Sequence, residues 1–278
     1  MNISGKPGQR SLALAFMLTG ALLIANVSIG QSDVAQRRQL QSQSPTYLEA
    51  DAVDFTTLLP PPPVAGSPEA ARDLLALHAA LDARNQATTA RVLADANISI
   101  FRFTDVLGDK FTEPNLPLTV AFFRNVTRST GSLTASLKDC WARPRPFLVD
   151  PTVTPPTGLK ESSGMRRISE LPEVNNPRCL QGTMKSEYSY AYPSGHSMFG
   201  AMTAMLLGDM VPELGGVILA RGWEYGYNRV LGGVHYPSDV DAGRIEAAVL
   251  VALMKKNTDF QRDFAAARVE LRQVLGYQ

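Results

Sequence analysis

Residues 228–239 read NRVLGGVHYPSD, and this stretch indicates how the functional half of the chain is built. Two glycines separate Arg229 from His235, and Pro237 then suits the first position of a new helix. If that helix begins near Pro237, Asp239 lies close to His235 on the same face, because it stands four residues later. The stretch therefore predicts two helices joined by a glycine turn, with a carboxylate beside an imidazole.

This histidine and carboxylate have a direct chemical interpretation. A carboxylate bonded to one ring nitrogen fixes the imidazole tautomer, and the other nitrogen is then left as a nucleophile. On this interpretation His235 is a catalytic residue and Asp239 orients it. The alternative is a plain helical connection in which the two side chains are neighbours by chance.

A second motif reads PSGHS at residues 193–197 and precedes a run of small residues. The unpaired N–H groups at the start of a helix form an anion site, which the helix dipole strengthens. Gly195 allows an anion to approach the backbone closely, and His196 follows at once. The simpler alternative is that Ser194 only caps the helix.

A third motif reads KDCWARPRP at residues 138–146. Lys138 and Arg145 are seven residues apart, or about 10 Å along a helix, so we expect both to reach one site from a helix end. Arginine suits phosphate because its planar fork can bond two oxygens at once. Taken separately, each of these cations would be an ordinary solvated charge.

The rest of the sequence indicates an all-α fold. Hydrophobic residues make up 45% of the chain and the mean hydropathy is −0.07, values too polar for a multi-span membrane protein. Ser67 and Pro68 open one helix, and helical periodicity recurs at about 86–107, 117–140, 194–210, 213–229, 237–256 and 258–275. We therefore predict a single compact multi-helix domain with one long loop between helices, at residues 147–190.

The first thirty residues have the pattern of an export signal. Lys6 and Arg10 precede an apolar run from Leu12 to Ala25, and small residues at Ser28 and Gly30 suit cleavage. We expect a signal peptide at residues 1–30, a mature domain at 31–278, and a periplasmic or secreted protein. The alternative, a membrane anchor, needs an apolar run of about 20 residues.

The net charge, the two cysteines and the third histidine give little further indication of function. The formal net charge is +1, so no global field favours nucleic acid. Cys140 and Cys179 are the only cysteines; they could pair after export or both remain free thiols. His78 lies on an apolar helix face, and we interpret it as structural.

Together the three motifs resemble the type 2 phosphatidic acid phosphatase superfamily. The pattern of that family is K-x6-R-P, then P-S-G-H, then S-R-x5-H-x3-D, and the three parts occur here in order with matching internal spacing. The export signal and residues 58–63, 221–224 and 238–242 are further similar to the class A bacterial non-specific acid phosphatases. The resemblance covers most of residues 45–275.

The resemblance implies an activity and a role for each motif residue. His235 would attack phosphorus, Asp239 would orient and charge-balance it, and His196 would protonate the leaving alcohol and then activate water. No metal or other cofactor is implied, because the cationic cage offsets the phosphoryl charge. The phosphoryl oxygens would be held by Lys138, Arg145, Arg229, Ser194 and Gly195.

Two departures from the family pattern lie near the site, and three other functions remain as alternatives. Asn228 replaces the usual serine, and Tyr190-Ala191-Tyr192 replaces the usual Gly-Ser-Tyr before Pro193. The alternatives are a vanadium-dependent haloperoxidase, a non-catalytic anion-binding module and an integral lipid phosphatase. We expect small phosphomonoester substrates, inhibition by vanadate and no stable membrane association after cleavage. The resemblance also leaves a homo-oligomer open.

Overall fold

The structure is a computed structural model that describes residues 46–49, 51–159 and 190–278. These residues fold into helices and contain no β-strand, so the all-α prediction is confirmed for the part of the chain described. Short 3-10 helices occur at Ile100–Phe103, Glu113–Asn115 and Pro212–Leu214. The α-helices are α1 (Phe55–Leu58), α2 (Pro68–Asp82), α3 (Gln86–Ala94), α4 (Thr104–Leu107), α5 (Pro117–Trp141), α6 (Pro146–Val149), α7 (Gly195–Met210), α8 (Gly215–Leu231), α9 (Pro237–Met254) and α10 (Thr258–Leu275).

One predicted helix is wrong. The stretch predicted as a single helix at about 86–107 forms α3, a 3-10 turn and α4 instead. Helix α3 stops at Asp95, whose carboxylate is fully buried and accepts hydrogen bonds from Arg102 and Arg221. Ser99 then caps the 3-10 turn through its side chain. Those tertiary bonds to a buried carboxylate outweigh local helix propensity.

Helix α7 is the centre of the domain. It is apolar on every side, and most of its side chains are buried, as expected for a helix with protein packed all round it. It packs against α8 and α9, while α10 packs against α5. None of the helices in the described ranges is both long enough and apolar enough to cross a bilayer.

Two glycines set the distance between α7 and its neighbours. A Cβ atom on Gly222 of α8 would overlap Ala204 of α7, and one on Gly243 of α9 would overlap the carbonyl oxygen of Ser194. Each substitution would therefore push a neighbouring helix away from α7. Both helices carry site residues, so these contacts fix the spacing of the site.

Several predictions fall on residues outside the described ranges. The signal peptide at 1–30 lies there entirely, as do the start of the proposed mature domain and residues 160–189 of the predicted long loop. The described part of that loop, 147–159, contains the rest of the four-residue helix α6. Cys140 is disulfide-bonded, and Cys179, the other cysteine, lies outside the described residues.

Candidate active site

The chain turn between α8 and α9 places His235 beside Asp239 as the sequence predicts. Pro237 is the first residue of α9, and Asp239 is the third. His235 Nδ1 lies 3.2 Å from Asp239 Oδ2, which also accepts the Tyr236 backbone N–H at 2.9 Å. Gly233 adopts φ +69°, a left-handed conformation that glycine reaches without strain, so the chain can reverse here.

The other ring nitrogen of His235 faces a cation. Arg145 Nη1 lies 2.8 Å from His235 Nε2 and also donates to the carbonyl oxygen of Val234 at 2.8 Å. Arginine can only donate, so Nε2 carries the lone pair and Nδ1 carries the proton given to Asp239. The neighbours of His235 thus fix the tautomer that a nucleophilic Nε2 requires.

Arg145 reaches this position by a different route from the one predicted. We expected Lys138 and Arg145 to extend from one helix end, but α5 ends at Trp141. Ala142 then takes φ +46°, a left-handed conformation uncommon for a residue with a side chain. Lys138 projects from the last turn of α5, whereas Arg145 lies in the extended segment after it.

Lys138 is held by the segment that precedes α7. Its ammonium group donates to the carbonyl oxygens of Tyr190 and Ala191 at 2.8 and 3.1 Å. These are two of the residues that depart from the class A pattern, and they contribute backbone oxygens rather than side chains to this contact. Burial and then the charge of Arg145 lower the pKa of Lys138.

Arg229 carries a buried charge that has no hydrogen-bond partner in the part of the chain that the structure describes. Its side chain is fully buried near the end of α8, and Nε, Nη1 and Nη2 have no hydrogen-bond acceptor among the described residues. Burial lowers its pKa to about 10, while burial and the Arg229 charge lower the pKa of Arg145 to about 9. The positive charges of Arg145 and Arg229 repel each other, and an anion bound between them would relieve that repulsion.

His196 lies in the first turn of α7. Its Nε2 atom lies 3.0 Å from the carbonyl oxygen of Ala96, which can only accept, so Nε2 carries a proton. Its Nδ1 atom is then the nitrogen that can gain or release a second proton. Burial lowers the pKa of His196 well below its usual value, and the charge of Arg229 acts in the same direction.

A cavity of about 300 Å³ collects most of the predicted residues. Lys138, Arg145, Gly195, His196 and His235 all line it. Arg229 and Ser194 have no exposed surface and are not among its lining residues. Ser194 caps α7, since its hydroxyl oxygen accepts the N–H of Ser197 at 3.3 Å.

The structure adds residues that sequence reasoning missed. Arg143 donates to Asp239 at 2.6 Å and to Asp73 of α2 at 2.7 Å, and its guanidinium stacks on the Tyr236 ring at 3.9 Å. Burial raises the pKa of Asp239, whereas Arg143 favours the ionised carboxylate. Arg143 lies within the third motif, but Asp73 gave no local signal.

Two of the remaining predictions concern His78 and metal ligands. His78 Nε2 pairs with Asp150 at 2.9 Å, away from the residues that line the cavity, and thereby joins α2 to the segment after α6. Within the described ranges, the histidine, cysteine and acidic side chains form no group of three or more that could hold a metal ion.

Comparison with known proteins agrees with the motifs. The model of the PAP2 superfamily matches residues 119–263. The chain is 30% identical over 243 residues to a non-specific acid phosphatase of Salmonella typhimurium, covering 86% of this chain and 88% of the relative. A non-specific acid phosphatase of Providencia stuartii is 30% identical over 230 residues, with 81% and 84% covered.

A third relative extends over slightly more of the chain. The acid phosphatase of Zymomonas mobilis is 28% identical over 258 residues, which cover 91% of this chain and 87% of the relative. The family match includes all the motif residues from Lys138 to Asp239. On these similarities and the family match, the chain belongs to the PAP2 superfamily.

Proposed function

We propose that this protein is a secreted acid phosphatase that hydrolyses small phosphomonoesters through a phosphohistidine on His235. The observation that carries the proposal is the buried Arg229 guanidinium, whose three nitrogens lack acceptors among the described residues. A buried charge without a partner is costly. Arg145 and Lys138 add two more cations beside it, so the arrangement suits a ligand with two negative charges. The phosphatase relatives support phosphate as that ligand.

The first step forms the phosphoenzyme. The Nε2 lone pair of His235 attacks phosphorus, an N–P bond forms, and the bond from phosphorus to the leaving oxygen breaks. His196 gives its Nδ1 proton to that oxygen, so the product leaves as a neutral alcohol. Asp239 stabilises the positive charge that develops on the ring of His235, and Arg143 keeps Asp239 ionised and in place.

Arg145 changes partners in this scheme. In the structure its Nη1 atom donates to His235 Nε2, the atom that must attack. A bound phosphoryl group offers stronger, charged acceptors, so Arg145 shifts to the phosphoryl oxygens and releases the lone pair. Substrate binding therefore both orients phosphorus and frees the nucleophile.

The second step returns the enzyme to its starting state. His196 Nδ1, now unprotonated, takes a proton from water while the water oxygen attacks phosphorus. The N–P bond breaks, its electron pair returns to His235 Nε2, and inorganic phosphate leaves. The carbonyl of Ala96 holds the opposite edge of His196 in both steps, so that the same nitrogen acts as acid and then as base.

The scheme runs without a metal ion, because the buried Arg145 and Arg229 and the half-buried Lys138 supply the charge that a metal supplies elsewhere. Vanadate, which mimics the five-coordinate phosphoryl group, should inhibit by occupying the same cage. The named relatives are phosphatases, which favours phosphoryl transfer over vanadate-dependent halide oxidation.

A substrate panel tests the proposal. Phosphomonoesters should be hydrolysed with and without EDTA, with little turnover of diesters, and low concentrations of vanadate should inhibit. Loss of activity on chelation that a divalent ion restores would contradict metal independence. A vanadate-loaded protein that oxidises halide with peroxide, and does not hydrolyse monoesters, would contradict the phosphatase assignment.

Export is tested separately. Residues 1–30 are the proposed signal peptide, on their charged start and apolar run. Intact-mass measurement of protein from the exported fraction should give a chain that begins near Gln31. A mature chain that still begins at Met1 and sediments with membranes would refute the cleavage.

A further inference from the structure

The cavity that holds the two histidines has a second, apolar part to its wall. Ile98, Met198, Phe199 and Met202 line it together with the cationic groups. The three side chains from α7 are almost completely buried, whereas Ile98 is half exposed. An exposed isoleucine beside a cationic site is a surface that an apolar ligand can cover.

The threonines of the same wall do not supply free donors. Thr127 and Thr130 of α5 donate their hydroxyl groups to carbonyl oxygens one turn back, at 2.9 and 3.1 Å. Thr134 donates to the buried carboxylate of Glu246 at 2.6 Å. Each hydroxyl has one proton, so these three threonines offer methyl groups and acceptors to a ligand.

No carboxylate is present among the described lining residues to bind the hydroxyls of a sugar. The charged and titratable ones are Lys138, Arg145, His196 and His235, and these serve the phosphoryl group. A leaving group rich in hydroxyls would lose its water here and find few partners. An apolar leaving group loses nothing on the same transfer.

The size of the cavity limits the leaving group further. Its volume of about 300 Å³ is at the lower end of the roughly 300–1,000 Å³ of small-molecule sites. Part of that volume must hold the phosphoryl group, so the rest suits one ring or a short chain.

From these observations we infer that the cavity is a leaving-group subsite for small apolar alcohols, with a single aromatic ring as the best occupant. The inference rests on the proposed function and narrows its substrate class. It predicts that the enzyme prefers aryl and arylalkyl monophosphates to phosphates of sugars and polyols.

The comparison must separate binding from intrinsic reactivity. Benzyl phosphate and glycerol 3-phosphate are both esters of primary alcohols, so their kcat/KM values report mainly on the subsite. We expect kcat/KM to be at least about 10-fold higher for benzyl phosphate, the scale that hydrophobic pockets achieve. Equal values, or a preference for glycerol 3-phosphate, would overturn the inference.

Binding measured without turnover distinguishes this inference from the proposed function. By calorimetry, benzylphosphonate should bind at least about 10-fold more tightly than methylphosphonate. That result would support the subsite even if no ester were hydrolysed, which would contradict only the phosphatase proposal. Equal affinities in an active enzyme would contradict only the subsite.

Two substitutions test whether the preference for benzyl phosphate arises in the cavity. Gly131 of α5 lines the cavity, and a Cβ atom there meets nothing within 4 Å, so Gly131→Leu adds an apolar side chain at the cavity wall without a clash at Cβ and favours the helix. Gly131→Leu and Ile98→Asn should each abolish the preference for benzyl phosphate and leave inhibition by inorganic phosphate within about 2-fold, because the cationic groups are untouched. The matched control is Ile245→Asn, at an exposed position of α9 outside the cavity. An unchanged preference in both cavity variants, or an equal loss in the control, would overturn the assignment.

Discussion

Asn228 donates its side-chain amide to Asp95, with 2.7 Å between Nδ2 and Oδ2. The residue that replaces the family serine therefore supports the segment after α3 and is not itself among the residues that line the cavity. Asp95 precedes Ala96, whose carbonyl oxygen accepts the Nε2–H of His196. Two hydrogen bonds and one peptide bond therefore connect Asn228 to the proposed general acid, His196.

This chain of contacts makes Asn228 a positioning residue. In Asn228→Ala, Asp95 keeps its two arginine partners, so we expect the fold to remain and His196 to be less well held. Loss of orientation should lower kcat for alkyl phosphates by about 10-fold, less than the roughly 10²–10⁴-fold that general acid–base catalysis contributes in full, because His196 itself remains. An aryl phosphate, whose leaving group needs little protonation, should be affected less.

The ratio of the two rates is the measurement that matters. If Asn228 had only a structural role, its loss would lower the alkyl and aryl rates equally. An equal loss would therefore contradict the positioning role. Asn228→Ser, which restores the family residue and a donor, should recover part of the alkyl rate.

The two site histidines can be separated by trapping the phosphoenzyme. His235→Ala should form no phosphoenzyme, since Nε2 is the only proposed nucleophile. His196→Ala should still be phosphorylated by p-nitrophenyl phosphate but should hydrolyse the intermediate about 10²–10⁴-fold more slowly. Alkaline denaturation and digestion should place the acid-labile phosphate on the His235 peptide. Phosphate on His196 or Ser194 would overturn the assigned roles.

Arg229 should show a conflict between stability and function. Arg229→Met removes a buried charge that has no acceptor among the described residues and keeps an apolar side chain of similar length. We expect the free energy of unfolding to rise by about 1–3 kcal/mol, the cost of an unsatisfied buried group. Activity should fall by more than about 100-fold, as for loss of an oxyanion donor.

Ligand-induced stabilisation supplies the control for Arg229. Saturating phosphate at about 100 times its Kd should stabilise the wild type by about 2.7 kcal/mol, and should stabilise Arg229→Met much less. A variant that is both destabilised and still stabilised by phosphate would show that Arg229 is structural and not part of the cage.

The pH profile follows from the directions in which the pKa values of His235 and His196 are shifted. Burial and the charges of Arg145 and Lys138 lower the pKa of His235, so Nε2 stays unprotonated in mild acid. Burial and the nearby positive charges also lower the pKa of His196, and a bound phosphoryl dianion should raise it again. Activity is therefore lost at high pH as His196 deprotonates, and at low pH as His235 protonates. We expect a maximum at roughly pH 5–6.

A single variant tests the cause of the acid limb. Lys138→Met removes a positive charge that lowers the pKa of His235. The pH below which kcat/KM falls should therefore rise, whatever the overall rate. An acid limb that stays in place, or moves to lower pH, would contradict the claim that the charge of Lys138 lowers the pKa of His235.

Much of the site was predictable because its parts are local in sequence. The four-residue spacing of His235 and Asp239 and the serine–glycine start of α7 each determine a short-range geometry. Arg229 was identified by the family motif, but its complete burial and the lack of acceptors for its nitrogens among the described residues result from long-range packing. The Ala96 carbonyl was not predictable, because it reaches His196 only after the break of α3 at Asp95. Periodicity alone favoured one continuous helix there.

The glycine contacts of α7 also limit how the enzyme can be redesigned. Gly222 and Gly243 touch α7 with no room for a methyl group, so the end of the site that we propose binds phosphate is fixed by backbone spacing. Gly131 on α5 faces open space instead. Variation in substrate range should therefore arise by substitution at Gly131 and Ile98, while the residues proposed to carry out phosphoryl transfer stay the same. A library directed at these two places would explore leaving groups without disturbing the chemistry.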